Sequence, residues 1–515
     1  MLSHSQSESS PLLTATSSQK QIQVAATETQ RRGGHHGSAS LSQTIINEAK
    51  TCMGTGCLAL PYAARVGGIW LHVIGIFAVG LWNLYSVTRL CQCLQLLPKE
   101  AILEEDDDSS RQDDDDDDVE KNEDLQPVVE MASPCHHRPT TSSLDSEASA
   151  SRQQQSAPTP NSHNHANSKT IPVVYPPPPP GTSTYSRVAW YAFGPLGLYT
   201  LDLLMATLFI GVVVAFVDAT RGFLRDTPFT TGSDILDAMA IAAIIGPMSA
   251  VPDMGYLAKA SATGLGVLFF SFAVIAAYGL FDNSNPDANN DASWNWYPEN
   301  GVEGVSTWFG CLVFGYGIAP LTYNFRESMT EPTQMVQASS VALLIVASSY
   351  VLLGVGLYLL FPNVDGDVLR MLPSQGWLPI IIRLGMAVVV FVTAPLLIVP
   401  CGQLVEGKIV KISAASHIDV PYRVRATVRM GIALTCVTIS VMVPGFVSVL
   451  SLVGCASVAT VGFVVPPLLY LRLNLLTQNK LSWTIALDVF MLLWGTVATG
   501  ISTSYTFRNV IGSQV

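Results

Sequence analysis

Ile45-Ile46-Asn47-Glu48-Ala49-Lys50-Thr51-Cys52-Met53-Gly54-Thr55-Gly56-Cys57-Leu58-Ala59-Leu60-Pro61-Tyr62 is the stretch whose reading decides the fold. It lies in an apolar segment, residues 44–65, long enough to cross the ~30 Å hydrocarbon core of a bilayer as a helix. Two glycines flank a threonine near its middle, and a proline follows five residues after the second. Glycine weakens a helix and proline removes a backbone donor. A helix broken within lipid survives only where the freed backbone lines an enclosed or watery cavity. The competing reading is a close helix–helix contact of small residues.

A second segment repeats the theme. Phe309-Gly310-Cys311-Leu312-Val313-Phe314-Gly315-Tyr316-Gly317-Ile318-Ala319-Pro320 again has glycines at mid-span and a proline nearby. Paired interrupted helices in matching halves are the best sequence pointer to a secondary transporter's site. Half-helix amides there attract a carboxylate, and unwound carbonyls attract a cation.

The rest of the chain reads as further apolar runs at 68–92, 197–219, 234–253, 261–281, 304–325, 336–361, 377–400, 426–443, 447–471 and 483–505. With the first, that makes eleven, and four separate the two interrupted ones. The runs are continuous, not alternating, so helices are expected to span the bilayer. The composition agrees. Hydrophobic residues make up 49% of the 515 residues and charged ones 13%, about half the ~25% of soluble domains. The net charge of −12 sits wholly between Pro98 and Ser186. The remainder is neutral, with no basic field for phosphates, which argues against nucleic acid as a partner. The expected organisation is a disordered cytosolic tail (1–43), two spanning helices (44–97), a disordered acidic and Pro-rich cytosolic insert (98–186), nine more helices (187–508) and a short C-terminal tail (509–515). Low hydrophobicity and high charge keep such appendages unfolded. With the N-terminus placed in the cytosol, nine Lys and Arg fall in inner loops and four outside, as the positive-inside rule asks.

The chain resembles the amino acid/auxin permease family. The resemblance rests on Lys50-x-x-x-Gly54-Thr55-Gly56-x-Leu58-x-Leu60-Pro61-Tyr62-Ala63, Ala192-Phe193-Gly194 and Tyr256-Leu257-Ala258 followed by Ser261. Glu327-x-Met329-x-x-Pro332, Val443-Pro444, Leu452-Val453-Gly454 and Pro466-Pro467-x-x-Tyr470-Leu471 complete it. Their order and spacing extend over nearly all of 44–505, insert excluded. The resemblance implies an all-α polytopic membrane protein of about eleven helices in a five-plus-five inverted repeat of the APC/LeuT-like kind. Helices one and six are discontinuous in it, and the function it implies is cation-linked transport of amino acids. The amides after Gly54 and Thr55, with Gly56 and Cys57 beside them, are expected to take the substrate carboxylate. Carbonyls of Phe314, Gly315, Tyr316 and Gly317 are expected to take its ammonium, and Tyr316 to gate or line the side-chain pocket. Helix six of the family often carries an acidic residue after the phenylalanine; Gly315-Tyr316 stands there instead, which leaves side-chain selectivity open.

Coupling is read from Lys50. Sodium-coupled members have an asparagine at that position, whereas the chain is similar to the proton-coupled and vacuolar branch in having lysine. An ammonium occupies and repels a sodium site, so protons, or no cation, are expected over sodium, with the proton as co-substrate and no other cofactor. The bland reading is that Lys50 snorkels to the interface. Glu303 is a second candidate for proton entry, and Thr393 faces a possible cation position by family analogy. Among the other ionisable residues within spans, His72 is expected at the interface. Asp202, Arg383 and Asp488 are functional by default, with Arg383 and Asp488 alternatively structural partners or facing the interface.

Glu8-Ser9-Ser10-Pro11-Leu12-Leu13 resembles an acidic dileucine sorting signal read by adaptors. It favours a lysosomal, vacuolar or endosomal membrane over the plasma membrane. Histidines and cysteines lack a metal-ligand spacing, so no metal is assigned. Two rival functions stand beside transport. One is an amino acid sensor whose tail and insert recruit partners. The other is a membrane enzyme, which lacks a histidine with a carboxylate beside it, so no enzyme is expected.

Overall fold

The structure is a computed structural model. It describes residues 37–97, 175–179, 182–250, 254–281, 294–412, 422–443, 445–477 and 483–512. The residues expected to serve sorting, Glu8, Leu12 and Leu13, most of the acidic insert and Pro444 lie outside the described residues. The described chain is helical apart from one isolated parallel bridge, Ala39 with Met329. Its helices are α1 (Leu41–Cys52), α2 (Leu60–Gly67), α3 (Ile69–Leu96), α4 (Thr184–Phe193), α5 (Pro195–Arg225), α6 (Asp234–Ala250), α7 (Met254–Phe281), α8 (Val302–Gly315), α9 (Thr322–Ser328), α10 (Met335–Leu360), α11 (Trp377–Ile412), α12 (Tyr422–Met442), α13 (Phe446–Val453), α14 (Val465–Thr477) and α15 (Trp483–Gly512). The first helix and α4 each begin a few residues before the boundaries expected from sequence.

Nine helical stretches among the described residues are long and apolar enough to cross a membrane. The multi-pass, all-helical membrane architecture is therefore present. Two of the eleven predicted segments fall outside that nine for physical reasons. The 44–65 segment is divided at Met53-Gly54 into α1 and α2, and α6 has only 17 residues.

Local sequence sets the element ends. The Ser40 hydroxyl caps α1 by accepting from the Gln43 amide, which satisfies one orphan donor. Pro61 sits in the first turn of α2, where its missing N–H costs nothing. Gly68 turns α2 into α3 at φ +76°, and a Cβ there would lie 2.5 Å from the Tyr297 backbone, so only glycine fits. From α13 to α14 the helix is continuous but passes through two π turns, 454–458 and 460–464. There it crosses α8 so closely that a Cβ on Gly454 would sit 1.9 Å from the Gly310 carbonyl oxygen. The small-residue reading therefore holds for Gly310, which packs. The last helix presents Leu493, Trp494 and Phe490 outward, as a lipid-facing surface requires.

Several buried charges are paired. Arg89 meets Asp488 at 2.6 Å, joining α3 to α15. Arg429 meets Glu406 at 3.1 Å and donates to the Ser249 carbonyl. Arg383 meets Asp226 and donates to the carbonyls of Leu369, Leu372 and Pro373. Asp202 accepts from the Ser186 hydroxyl. Asp488 and Arg383 thus join helices and loops as structural partners.

Candidate functional site

The two interrupted segments meet. After α1 the chain turns extended at Gly54 (φ −106°, ψ −162°) and enters a short 3₁₀ turn, Thr55–Ala59, before α2. After α8 it makes a turn at 316–318 and a second 3₁₀ turn, Ala319–Leu321, before α9. A Cβ built on Gly56 would lie 3.0 Å from Phe314 Cδ1 and 4.0 Å from Gly315 Cα. Of the eight residues expected to bind substrate, Gly54, Tyr316 and Gly317 lie in the two breaks and the other five adjoin them.

Tyr350 of α10 joins the breaks. Its hydroxyl lies 2.8 Å from the Cys52 carbonyl oxygen and 3.0 Å from that of Gly315. These are the terminal carbonyls of α1 and α8, which lose their helical i+4 amide because each helix stops. One hydroxyl proton thus serves two acceptors. Gly315 is required at this place, since a Cβ there would lie 2.6 Å from the Tyr350 oxygen. The Tyr316 ring packs against Tyr350 at 5.1 Å between centroids. Its own hydroxyl donates to the Ile76 carbonyl. Tyr316 is thereby a fixed wall in this arrangement.

Polar capacity remains for a ligand. The Thr55 hydroxyl is buried with no hydrogen-bond partner, a costly state unless something else bonds it. Space adjoins Gly54, since a Cβ there would meet nothing within 4 Å. The Gly54 amide bonds the Cys52 carbonyl, and the Cys57 amide bonds that of Gly54. The amides of Thr55 and Gly56 take no part in these bonds. Of the four carbonyls expected to face an ammonium, Gly315 already accepts from Tyr350 and Tyr316 from the Ile318 amide. Phe314 and Gly317 are left for that task.

The three expected coupling residues are not brought together. Lys50 is half-buried in the last turn of α1, where the helix dipole favours a cation. Thr393 of α11 donates to the Val389 carbonyl at 2.7 Å. Glu303 is exposed in the first turn of α8 and lines a cavity of about 330 Å³ shared with Tyr62, Asp365, Asp367, Arg370 and Ser451. That cavity lies at the opposite end of the bundle from the Ala39–Met329 bridge. In its wall Asp367 is buried, and burial pushes its carboxyl up to about 6, against the Leu369 amide and the nearby Arg370 and Arg383.

His72, in the first turn of α3, is fully buried in the protein, and its Nδ1 accepts from the Trp308 indole N–H at 3.2 Å. The reason is that residues 295–296 fold over the start of α3, accepting bonds from the Ile69 and Trp70 amides. An imidazolium would turn an N–H toward the indole N–H, so this packing suits the neutral ring. Sequence reasoning also passed over Glu48, which is buried on α1 and accepts from the Ser339 hydroxyl of α10 at 2.9 Å.

The sequence profile of the transmembrane amino acid transporter protein family matches residues 37–106 and 174–508. The chain belongs to that family. Both breaks, the Tyr350 clamp and most of the lining of the 330 Å³ cavity lie within the matched residues, and the family is one of transporters, not enzymes. Among its members, the amino acid transporter ANT1 of Arabidopsis thaliana is 20% identical over 517 residues, covering 97% of this chain and 99% of that protein. Amino acid transporter AVT3A of the same plant is 26% identical over 215 residues, 40% of this chain and 47% of its own length. Human solute carrier family 38 member 10 is 25% identical over 329 residues, 58% of this chain and 28% of its own length. Family membership supports the transport of amino acids across a membrane by this family member.

Proposed function

We propose that the protein is a proton-coupled secondary carrier that moves amino acids by alternating access around the paired breaks. The observation that carries this reading is the contact between the two breaks, with the unpartnered Thr55 hydroxyl beside them. An amino acid offers a carboxylate and an ammonium a few ångströms apart. The Thr55 and Gly56 amides, at the start of a helical turn, suit the first. The Phe314 and Gly317 carbonyls, at the end of α8, suit the second. Eleven crossings in two inverted five-helix halves accommodate this pairing, with α15 at the periphery.

Two features support alternating access. At the tail end, the backbone of Ala39 exchanges bonds with Ser328 and Thr330, tying the start of helix one to the end of helix six. At the other end, the 330 Å³ cavity is walled by exposed residues such as Glu303 and Asp365. A carrier closed to the cytosol and open outside has this form. Lys50, standing where sodium-coupled relatives have asparagine, supports protons as the driving ion. The dileucine pattern at Glu8, Leu12 and Leu13 supports adaptor-guided delivery to a lysosomal, vacuolar or endosomal membrane.

The test is reconstitution of the purified protein in liposomes with a labelled amino acid mixture under a proton gradient, a sodium gradient or none. Uptake raised by the proton gradient alone is expected. Sodium-driven uptake would overturn the coupling. Saturable binding without flux would overturn transport and favour a sensor.

A further inference from the structure

The buried charges of the bundle fall into two groups. Asp488, Glu406 and Asp218 each face a guanidinium, Asp367 and Asp237 accept from backbone amides, and the Nδ1 of His72 accepts from the Trp308 indole N–H. Glu48 differs. It is 1% exposed. One carboxyl oxygen accepts from Ser339, and the other has no hydrogen-bond partner. No ion pair among the described residues includes it.

The groups around it carry no compensating charge. α10, packed along α1, has no Asp, Glu, Lys, Arg or His anywhere in its length. It offers the Ser339 hydroxyl and, three turns on, the phenol of Tyr350. On α1 the titratable group one turn away is the Cys52 thiol, and from α3 the Cys91 thiol is within electrostatic reach. Cys91 also feels Arg326, which forms no ion pair with Glu48. Lys50, two residues along the helix, points about 200° away around it. An ionised carboxylate with a single donor and no cation costs several kcal/mol in such a place. A carboxyl carrying its proton costs far less.

We propose that Glu48 is the residue that carries the co-transported proton. The role rests on the proton-coupled carrier reading above and gives that reading its titrating group. The mechanical link is short. Glu48 lies one turn before Cys52, whose carbonyl Tyr350 holds, and Ser339 and Tyr350 lie on the same helix. With its proton in place, the Glu48 carboxyl lets α1 lie flat on α10, and the breaks stay clamped. When α1 swings away to open the tail side, water reaches the carboxyl and the proton leaves to the cytosol. The carboxylate left behind resists burial until it is protonated again from the acidic side. One O–H bond forms and one breaks per cycle, and no other reactant is needed.

Two measurements on the full chain test this. The first is infrared absorption of the purified protein in the protonated-carboxyl region, with and without Glu48→Gln. The unsubstituted protein is expected to show a band, sensitive to added amino acid, that Glu48→Gln lacks. A spectrum unchanged by the substitution would overturn the proposal. The second is transport in liposomes. Glutamine keeps the Ser339 bond but holds no exchangeable charge, so Glu48→Gln is expected to retain amino acid counterflow and to lose uptake driven by a proton gradient. Retained counterflow shows that the variant folds. Gradient-driven uptake persisting in Glu48→Gln would overturn the role of Glu48 alone. Uptake by the unsubstituted protein that ignores the gradient would overturn the coupling itself, and the role with it.

Discussion

The Thr55 hydroxyl is buried and bonds nothing in the protein. A group in that state costs stability unless a ligand completes it. Thr55→Val keeps the shape and removes only the hydroxyl, so folding is expected to be unaffected. A hydrogen bond to a charged group is worth about 1.5–3 kcal/mol. The KM for amino acid uptake should therefore rise roughly 10–100-fold, with the maximal rate retained. The concentration dependence of labelled uptake reads this directly. Asp367 answers to pH instead. Burial holds its carboxyl at about 6, against 3.8 in an ordinary setting. The folded state therefore binds this proton more tightly than the unfolded chain does. Its contribution to stability is full below the unfolded value and is lost as pH rises through 6, a change on the order of 3 kcal/mol. Asp367→Asn keeps an acceptor for the Leu369 amide and should flatten the fall of the thermal unfolding midpoint between pH 4 and pH 7.

At the scale of elements, α15 is held to the bundle by a buried ion pair, Arg89 with Asp488. The Tyr85 hydroxyl is also bonded to the carboxylate, and the Tyr470 ring lies 4.5 Å from the guanidinium. Removing one partner of a buried pair costs about 3–5 kcal/mol, because the other is left charged and alone. Asp488→Leu should lower the unfolding midpoint sharply. Arg89→Met combined with Asp488→Leu should recover much of that loss, and a cycle of the four proteins measures the coupling. The breaks in helices one and six were legible in the sequence because Gly-Thr-Gly and Gly-Tyr-Gly stand out against an apolar run. Their clamp was not. Ser339 and Tyr350 lie in an otherwise plain apolar helix, and Tyr350 finds Cys52 298 residues away. Only the fold brings them together. The burial of His72 was hidden for a related reason: its place near a helix end was legible, but the loop that covers that end is distant in sequence.

At the scale of the molecule, the sequence separated a polar insert from an apolar core, and the family match skips most of the same insert, from 107 to 173. Every residue of the paired breaks lies outside it. Deleting residues 99–170 is therefore expected to leave amino acid uptake in liposomes intact. Loss of uptake with retained binding would show that the insert takes part in the transport cycle. The family and the approximate spans were also legible at this scale, since hydropathy alone dictates where a chain crosses lipid. Which carbonyls are free and which are taken was not, because that depends on backbone turns a few residues long.

Ala39 ties the first residues of the bundle to Ser328 and Thr330 by two exposed backbone bonds, each worth about 1 kcal/mol. Loops open and close in nanoseconds to microseconds, and helices shift in microseconds to milliseconds. So slight a tie comes undone and reforms many times before any helix stirs. It behaves as a detent: it sets where this end of the bundle comes to rest and adds little to the height of the barrier. A hand on the chain just ahead of Ala39 would bias that resting place without slowing the stroke.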